Sequence, residues 1–311
     1  MSEPIGVVVM AYGGPDRIED VKPYLLDIRG GRPTPPDVVE EVVRRYRAIG
    51  GRSPILEQTT AQAQGLARAL AAGGGAFEVR VGMRHWQPRI AAAVEALRRA
   101  GVRRAVGLAM APHNSRMSVG AYHQALAQAA IEGGAPLDLA LIESWKDDPG
   151  YLDAVQRRLE AALLRLEQSL RGAAELVFTA HSLPERIREW DDPYPQELRV
   201  TFEALRARFP SHTAHFAYQS AAMTREPWLG PDAGDLMERR LRQGASAFVI
   251  APIGFVCEHV EVLYDIDIEF RARIERAGGQ LERIAMPGDD AGMLASLARG
   301  VRAAAEAHGW L

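Results

Sequence analysis

Runs of apolar residues alternate with amphipathic stretches along the whole chain. Eight short apolar runs, most of them bounded by polar or glycine-rich segments, are typical of buried β-strands. Between most of them, apolar residues recur at helical spacing, which predicts amphipathic helices. The predicted strands are 5–12, 77–84, 104–112, 137–144, 174–181, 213–219, 246–252 and 281–286, and the predicted helices include 88–100, 117–132, 152–170, 195–208, 232–243 and 289–307.

This alternation predicts an α/β fold, because strands separated by helices form parallel sheets that helices cover on both faces. Four predicted strands precede the helix at 152–170 and four follow it. We therefore predict two similar halves, 1–150 and 151–311, each with a four-stranded parallel sheet flanked by helices. The last segment, 289–311, could pack back on the first half.

Composition and charge narrow the class of protein. The 311 residues are 47% hydrophobic and 25% charged, a balance typical of a soluble globular protein. The net charge of -3 shows no basic excess, so no nucleic-acid partner is predicted. The single cysteine, Cys257, excludes an internal disulfide and an iron–sulfur cluster held by the cysteines of one chain.

The chain also carries no sign of a membrane or secretory segment. No uninterrupted apolar run approaches the roughly 18 residues that span a bilayer. The first residues, MSEPIGVVVMAYGGP, lack the shape of a signal peptide. We expect a cytoplasmic protein without a membrane span, and we favour a monomer although the sequence does not decide its oligomeric state.

Polar side chains follow several of the predicted strands. In open α/β folds, ligands bind beyond the carboxyl ends of the strands, so the residues found there are candidate site residues. Tyr12 follows the first strand, and His181 closes the strand at 174–181. The alternative interpretation is that strand ends become polar simply because they emerge into solvent.

An acidic segment follows the strand at 246–252, with the sequence GFVCEHVEVLYDIDIEF. We predict a helix that starts near Cys257, which we treat as a small core residue. Glu261, Asp265 and Glu269 are four residues apart and therefore share one face of an α-helix. Carboxylates are suitable ligands for hydrated divalent cations, so this row could relay a metal ion or protons. The alternative is a solvated acidic face.

His181 adds a titratable group to the same half of the chain. A neutral imidazole is well suited to accept a proton or to bind a transition metal near pH 7. Together with Glu261 it would form an open metal site with two ligands. The alternative interpretation is a structural histidine whose ring is hydrogen-bonded.

Seven sequence blocks together resemble the ferrochelatase family. The blocks occur in the family's order between residues 7 and 267, and they read VVVMAYGGP, YRAIGGRSP, GMRHWQP, APHNSRMSVGAY, FTAHSLPERI, PWLGPD and IAPIGFVCEHVEVLYDID. The family inserts ferrous iron into a porphyrin. The resemblance therefore implies two Rossmann-like halves with the active-site cleft between them, and porphyrin and Fe²⁺ as substrates, without an organic cofactor.

The resemblance also implies a role for individual residues. His181 and Glu261 match the family's two catalytic positions, on opposite sides of its metal-insertion centre, and are the implied ligands of the iron. Asp265 and Glu269 match an outer acidic site where a hydrated divalent ion such as Mg²⁺ can bind. Tyr12 matches the axial ligand of the product iron in members that use coproporphyrin. The positions that line the porphyrin and its propionates are matched by Arg29, Arg45, Tyr46, Ser53 and Tyr122.

The residue at position 12 bears on the substrate. Members that use protoporphyrin tend to have Met there, so Tyr12 favours coproporphyrin III. One departure is Gly30, which stands where some relatives have a second Arg. The alternatives are a protoporphyrin IX ferrochelatase, a chelatase for another tetrapyrrole, and a haem carrier without turnover. A dinucleotide-binding enzyme is not predicted, because AYGGPDRIED lacks the spacing of glycines that cradles a pyrophosphate.

Overall fold

All of the predicted strands are present in the computed structural model, which describes residues 3–222, 224 and 226–311. Their ends differ from the prediction by a few residues at most. The strands are β1 (Ile5–Ala11), β2 (Phe77–Met83), β3 (Arg104–Ala109), β4 (Asp138–Ile142), β5 (Glu175–His181), β6 (Ala214–Gln219), β7 (Ala247–Ala251) and β8 (Gln280–Arg283).

The strands form two four-stranded sheets with the orders β2-β1-β3-β4 and β6-β5-β7-β8. Every pair of neighbouring strands is parallel. In each sheet the first strand along the chain is central, and its apolar residues are almost completely buried. This architecture confirms the predicted fold class of two α/β halves.

Helices cover the two sheets, and all six predicted helices are confirmed. Three helices between β1 and β2 were not predicted, and the Gly- and Pro-rich segment 30–36 separates the first two of them. The α-helices are α1 (Val21–Ile28), α2 (Pro36–Ala48), α3 (Ile55–Ala72), α4 (Ile90–Arg99), α5 (Val119–Ile131), α6 (Pro149–Arg165), α7 (Tyr194–Arg206), α8 (Ala233–Arg242), α9 (Val260–Leu263), α10 (Arg271–Arg276) and α11 (Ala291–Ala307).

One hydrophobic cluster includes residues from both sheets. The helix α6 packs against β7 and β8 of the second sheet, and α11 packs against α6, against α3 and against β3 and β4 of the first sheet. The buried surface is therefore continuous between the halves, and the division into 1–150 and 151–311 stays a prediction. Within the described residues, no helix is both long enough and apolar enough to cross a membrane.

The acidic segment differs from the prediction. Its α-helix begins at Val260 and not near Cys257, and residues 265–270 form a π-helix. In this wider turn the backbone N–H of Glu269 donates to the carbonyl oxygen of Tyr264, five residues earlier, at 2.9 Å. The predicted α-helical row of carboxylates is therefore wrong, because the extra residue in the turn changes their phase. As a result Asp265 is buried, whereas Glu269 is exposed.

Candidate active site at the carboxyl ends of the two sheets

His181 and Glu261 lie side by side at the carboxyl end of the second sheet. His181 is the last residue of β5, and Glu261 is in the first turn of α9. The imidazole Nε2 is 3.4 Å from a carboxylate oxygen of Glu261. The other ring nitrogen faces the backbone carbonyl of Ser182, and the Tyr194 hydroxyl donates to the backbone carbonyl of His181 at 3.0 Å. The backbone and both nitrogens of His181 are thus held in place.

A second layer of polar contacts fixes the position of Glu261. The Gln219 side-chain amide donates to the backbone carbonyl of Glu261 at 2.9 Å, and the Thr179 hydroxyl donates to the Gln219 amide oxygen at 2.7 Å. Gly254 lets the loop after β7 approach β5, since a Cβ at this position would lie 2.8 Å from the Cβ of Ala180. These contacts hold α9 directly over the end of β5.

His181 and Glu261 form an ion pair. Burial lowers the pKa of His181, but the adjacent Glu261 carboxylate outweighs burial and raises that pKa above its ordinary value. Burial likewise raises the pKa of Glu261, and the charge of His181 outweighs it and holds that pKa well below the usual range. The pair is therefore an imidazolium and a carboxylate at neutral pH, and the sequence had suggested a neutral imidazole.

Tyr12 lies at the carboxyl end of the first sheet. It directly follows β1, its side chain is 38% exposed, and its ring packs against His85 with 4.7 Å between the ring centroids. Burial and the negative charge of Glu261 raise the pKa of Tyr12 to about 12, so the hydroxyl is a neutral phenol at pH 7.

Two of the residues predicted to line the porphyrin are buried tyrosines in the same half as Tyr12. Tyr46 and Tyr122 are 3% and 6% exposed, and burial is the main cause that raises the pKa of each. Ser53, also predicted to line the porphyrin, is buried where its side chain contacts the segment after β1. Tyr24, which the sequence analysis missed, is 6% exposed and donates to the carbonyl of Gly13 at 3.0 Å. Nothing in the sequence marked Tyr24, because the helix that carries it was not predicted.

Two of the predicted site residues bind each other. The Arg45 guanidinium lies 3.2 Å from a carboxylate oxygen of Asp265 and 2.8 Å from one of Glu41. It also lies 5.0 Å from the centroid of the Tyr264 ring. The family resemblance implied that Arg45 contacts the porphyrin and that Asp265 binds a cation. In the structure these two residues instead form an ion pair that connects the two halves.

Asp265 is the most perturbed of the outer acids. Burial, the charge of Glu261 and the charge of Glu269 raise the pKa of Asp265, whereas a hydrogen bond from the Ser220 hydroxyl and the charge of Arg45 lower it, and the balance is a pKa of about 6. Ser220 has a φ of 60°, a left-handed conformation that is uncommon for a residue other than glycine. This conformation places its hydroxyl on Asp265.

Comparison with known proteins identifies the family. The sequence profile described as Ferrochelatase matches residues 4–305. The chain belongs to the ferrochelatase family. It is 38% identical to the ferrochelatase of Herpetosiphon aurantiacus over 291 residues, 93% of this chain and 95% of that one. It is 40% identical to the coproporphyrin III ferrochelatase of Geobacillus kaustophilus over 287 residues, 91% and 90% of the two chains.

The fold of this ferrochelatase also resembles that of a chelatase of known structure. SirB from Bacillus subtilis with Fe3+ superposes with a TM-score of 0.61 at 11% identity, covering 98% of each chain. At this identity the likeness concerns the fold alone. Membership of the ferrochelatase family makes the protein a metal-insertion enzyme, a lyase that takes a porphyrin and iron as substrates.

The two remaining predicted site residues of this ferrochelatase are exposed to solvent. Arg29 is exposed just after α1, and Glu269 is exposed on the π-helix. Among the described residues, no group of three His, Cys, Asp or Glu side chains is arranged to hold a metal ion.

Proposed function

We propose that this ferrochelatase inserts ferrous iron into coproporphyrin III and so produces iron coproporphyrin. The observation that carries the proposal is Tyr12, a phenol at the carboxyl end of the first sheet whose pKa the charge of Glu261 helps to raise. Phenolate is a hard anionic oxygen donor and favours ferric iron. A bound ferric ion would stabilise the anion and displace the proton despite the raised pKa of Tyr12. The relatives do not decide between porphyrins, because a ferrochelatase and a coproporphyrin III ferrochelatase are similar to this chain at 38% and 40% identity.

In this proposal His181 and Glu261 receive the inner N–H protons of the porphyrin. A metal cannot enter the ring until those protons leave. The imidazolium form of His181 cannot accept one, so its own proton must leave first. The positive charge of an arriving ferrous ion disfavours the imidazolium, since like charges lower the pKa of a cationic acid. Arrival of iron would therefore turn His181 into the neutral base that the reaction needs.

The arginines supply contacts for the propionates. A guanidinium binds a carboxylate through two parallel hydrogen bonds, and coproporphyrin III carries more propionates than protoporphyrin IX. Arg29 is exposed to solvent and could therefore bind a propionate without rearrangement. Arg45 would exchange Asp265 for a propionate, because the two carboxylates compete for the same guanidinium. Binding of the porphyrin would then release Asp265.

The outer acids are suited to a hydrated divalent ion. Mg²⁺ keeps several of its waters and is usually bound by one or two carboxylates, which Asp265 and Glu269 provide. The negative charges of Glu261 and Glu269 both raise the pKa of Asp265, so a cation at this position would relieve their mutual repulsion. When bound, such an ion would supply a positive charge at the outer end of the acidic segment. Arg45 supplies that charge in the structure.

The deciding experiment is an anaerobic insertion assay with purified protein, ferrous iron and either coproporphyrin III or protoporphyrin IX. We expect a clear preference for coproporphyrin III in kcat/KM. Efficient metallation of protoporphyrin IX with poor metallation of coproporphyrin III would refute the substrate assignment and leave the family assignment intact. A folded Glu261→Gln variant that still binds the ferric product but no longer inserts iron would exclude a simple haem carrier.

A further inference from the structure

The segment that carries Tyr12 packs against the segment that follows β2. The backbone N–H of His85 donates to the carbonyl of Tyr12 at 2.9 Å. Gly13 has a φ of +95°, and a Cβ there would lie 3.0 Å from the backbone nitrogen of Trp86. Only a glycine fits such a close approach without strain. Backbone contacts therefore place the His85 ring against Tyr12, with an angle of 50° between the two ring planes.

A carboxylate on α1 holds the His85 ring. The Nδ1 of His85 lies 3.0 Å from one oxygen of Asp27, and the Arg89 guanidinium donates to both oxygens, at 2.7 and 3.0 Å. Because an ionised carboxylate only accepts hydrogen bonds, Nδ1 of His85 carries the proton. The His85 side chain is 13% exposed, so packing and hydrogen bonding both restrict its rotation.

We propose that His85 is a positioning residue for Tyr12, and that Asp27 and Arg89 act through it. The inference rests on the proposed function, in which the Tyr12 oxygen ligates the product iron. Tyr12 is 38% exposed, so the protein covers it only in part. An aromatic ring that packs on an exposed phenol removes rotational freedom before the ligand arrives, and preorganisation of this kind strengthens binding. The same contacts tie the end of α1, which precedes Arg29, to the Tyr12 segment.

The second half contains a chemically matched trio that serves as a control. Glu175 accepts hydrogen bonds from Arg240, at 2.6 and 2.9 Å, and lies 2.7 Å from Nε2 of His215. This trio stands at the amino end of β5, at the opposite edge of the sheet from His181. It therefore combines the same three kinds of side chain, away from Tyr12. A substitution there tests the loss of a carboxylate–histidine–arginine cluster as such.

The experiment titrates ferric coproporphyrin III into the wild-type protein and into His85→Ala, His85→Phe, Asp27→Asn, Tyr12→Phe and Glu175→Gln. The readouts are the dissociation constant, the resonance Raman and absorption signature of tyrosinate ligation, and the melting temperature. We expect His85→Ala to weaken binding by about two- to tenfold, the value of one aromatic pair, and to broaden the tyrosinate signature. His85→Phe restores a ring beside Tyr12 and should retain the signature.

Asp27→Asn leaves every ring in place and should cause a smaller loss in the same direction, so it tests the inference even if His85→Ala does not fold. Glu175→Gln should lower the melting temperature without a change in the signature. An unchanged signature and affinity in folded His85→Ala would overturn the inference, as would an equal loss in Glu175→Gln. If the wild-type complex itself shows no tyrosinate signature, the ligand role of Tyr12 fails and the inference fails with it. A wild-type signature that Tyr12→Phe loses and His85→Ala retains refutes the inference alone.

Discussion

The two halves share one strand order and differ in the side chains that they place at the same structural position. Tyr12 follows β1 and His181 ends β5, and these are equivalent strands in the orders β2-β1-β3-β4 and β6-β5-β7-β8. The first half surrounds this position with tyrosines that burial keeps neutral. The second half surrounds it with the carboxylates of Glu261 and Asp265.

In the proposed function, this difference separates two tasks that metal insertion combines. Neutral aromatic side chains suit a planar apolar ring, whereas charged groups suit a hydrated cation and the protons that it displaces. A low-dielectric wall on one side also strengthens the electrostatic interactions on the other. The fold provides two sheets whose carboxyl ends are equivalent, and the side chains at each end determine whether it is apolar or charged. Substitutions on one side should therefore affect a different step from those on the other.

The largest effect is expected at the charged side. His181→Ala removes the proposed base, and Glu261→Gln removes its charge partner, so each should lower kcat for iron insertion by about 10²- to 10⁴-fold. Circular dichroism and the melting temperature should show that both variants are folded. Near-normal turnover in either folded variant would contradict its catalytic role.

The stability of the contact between the halves should decrease at acidic pH. His113 of the first half lies 2.8 Å from the Thr201 hydroxyl of the second, and it packs against Tyr194. Burial, together with the charge of Lys146, lowers the pKa of His113 to about 3. The unfolded chain protonates this ring near pH 6.5, so its contribution to stability is present above that pH and is lost as the pH falls toward 3.

The expected loss of unfolding free energy from His113 is about 2 kcal/mol by pH 5. Thermal or urea unfolding at pH 7 and pH 5 measures it. His113→Gln does not titrate and should show a smaller decrease between these pH values. His308 is exposed at the C-terminal end of α11, and His308→Gln should retain the wild-type decrease in unfolding free energy. Equal pH dependence in His113→Gln and the wild type would contradict the prediction.

The aromatic side should govern retention of the product. Tyr12→Phe keeps the ring and removes the oxygen, so porphyrin packing persists while the iron loses its ligand. We expect ferric coproporphyrin III to bind about tenfold more weakly, equivalent to about 1.4 kcal/mol, with insertion less affected. Loss of the tyrosinate signature checks the change in ligation. If that signature persists, another residue ligates the iron, and His181 is the first candidate.

The outer acids should have graded and smaller effects. Asp265→Asn breaks the ion pair with Arg45, and Glu269→Gln removes an exposed charge. We expect each to lower kcat by less than Glu261→Gln does, with Asp265→Asn the more severe, and to alter the dependence of the rate on Mg²⁺. Steady-state kinetics with and without Mg²⁺ separate these effects. Unchanged kinetics in both variants would support a merely solvated acidic face.

The smallest effect is expected at Cys257. The thiol lies within the acidic segment, one residue before Glu258, but Cys257 is 7% exposed and packs with Ala11, Ile55 and Met83. Burial raises the pKa of Cys257 to about 12, so it is not a reactive thiolate at neutral pH. Cys257→Ser should retain iron insertion. A complete loss of activity in a folded variant would show that the thiol takes part in the reaction.

The order of the strands along the chain and the identity of the family were readable from the sequence. Apolar runs indicate buried parallel strands, because helices cover both faces of a parallel sheet and its side chains are buried on both sides. The motifs around Tyr12, His181 and Glu261 also placed these residues at strand ends or just beyond them, where ligands bind. The helices between 21 and 72 were not predicted; Gly and Pro separate them from one another, although the last of them, α3, has 18 residues.

Only the tertiary structure decided which charges meet. The pairing of Arg45 with Asp265 joins residues 220 positions apart, and nothing in the local pattern of either residue encodes it. The π-helical turn at 265–270 buries one acid and exposes another, a choice that depends on packing against the sheet. The protonation state of His181 likewise depends on the distance to Glu261, since a charge a few ångströms away can outweigh the effect of burial on a pKa.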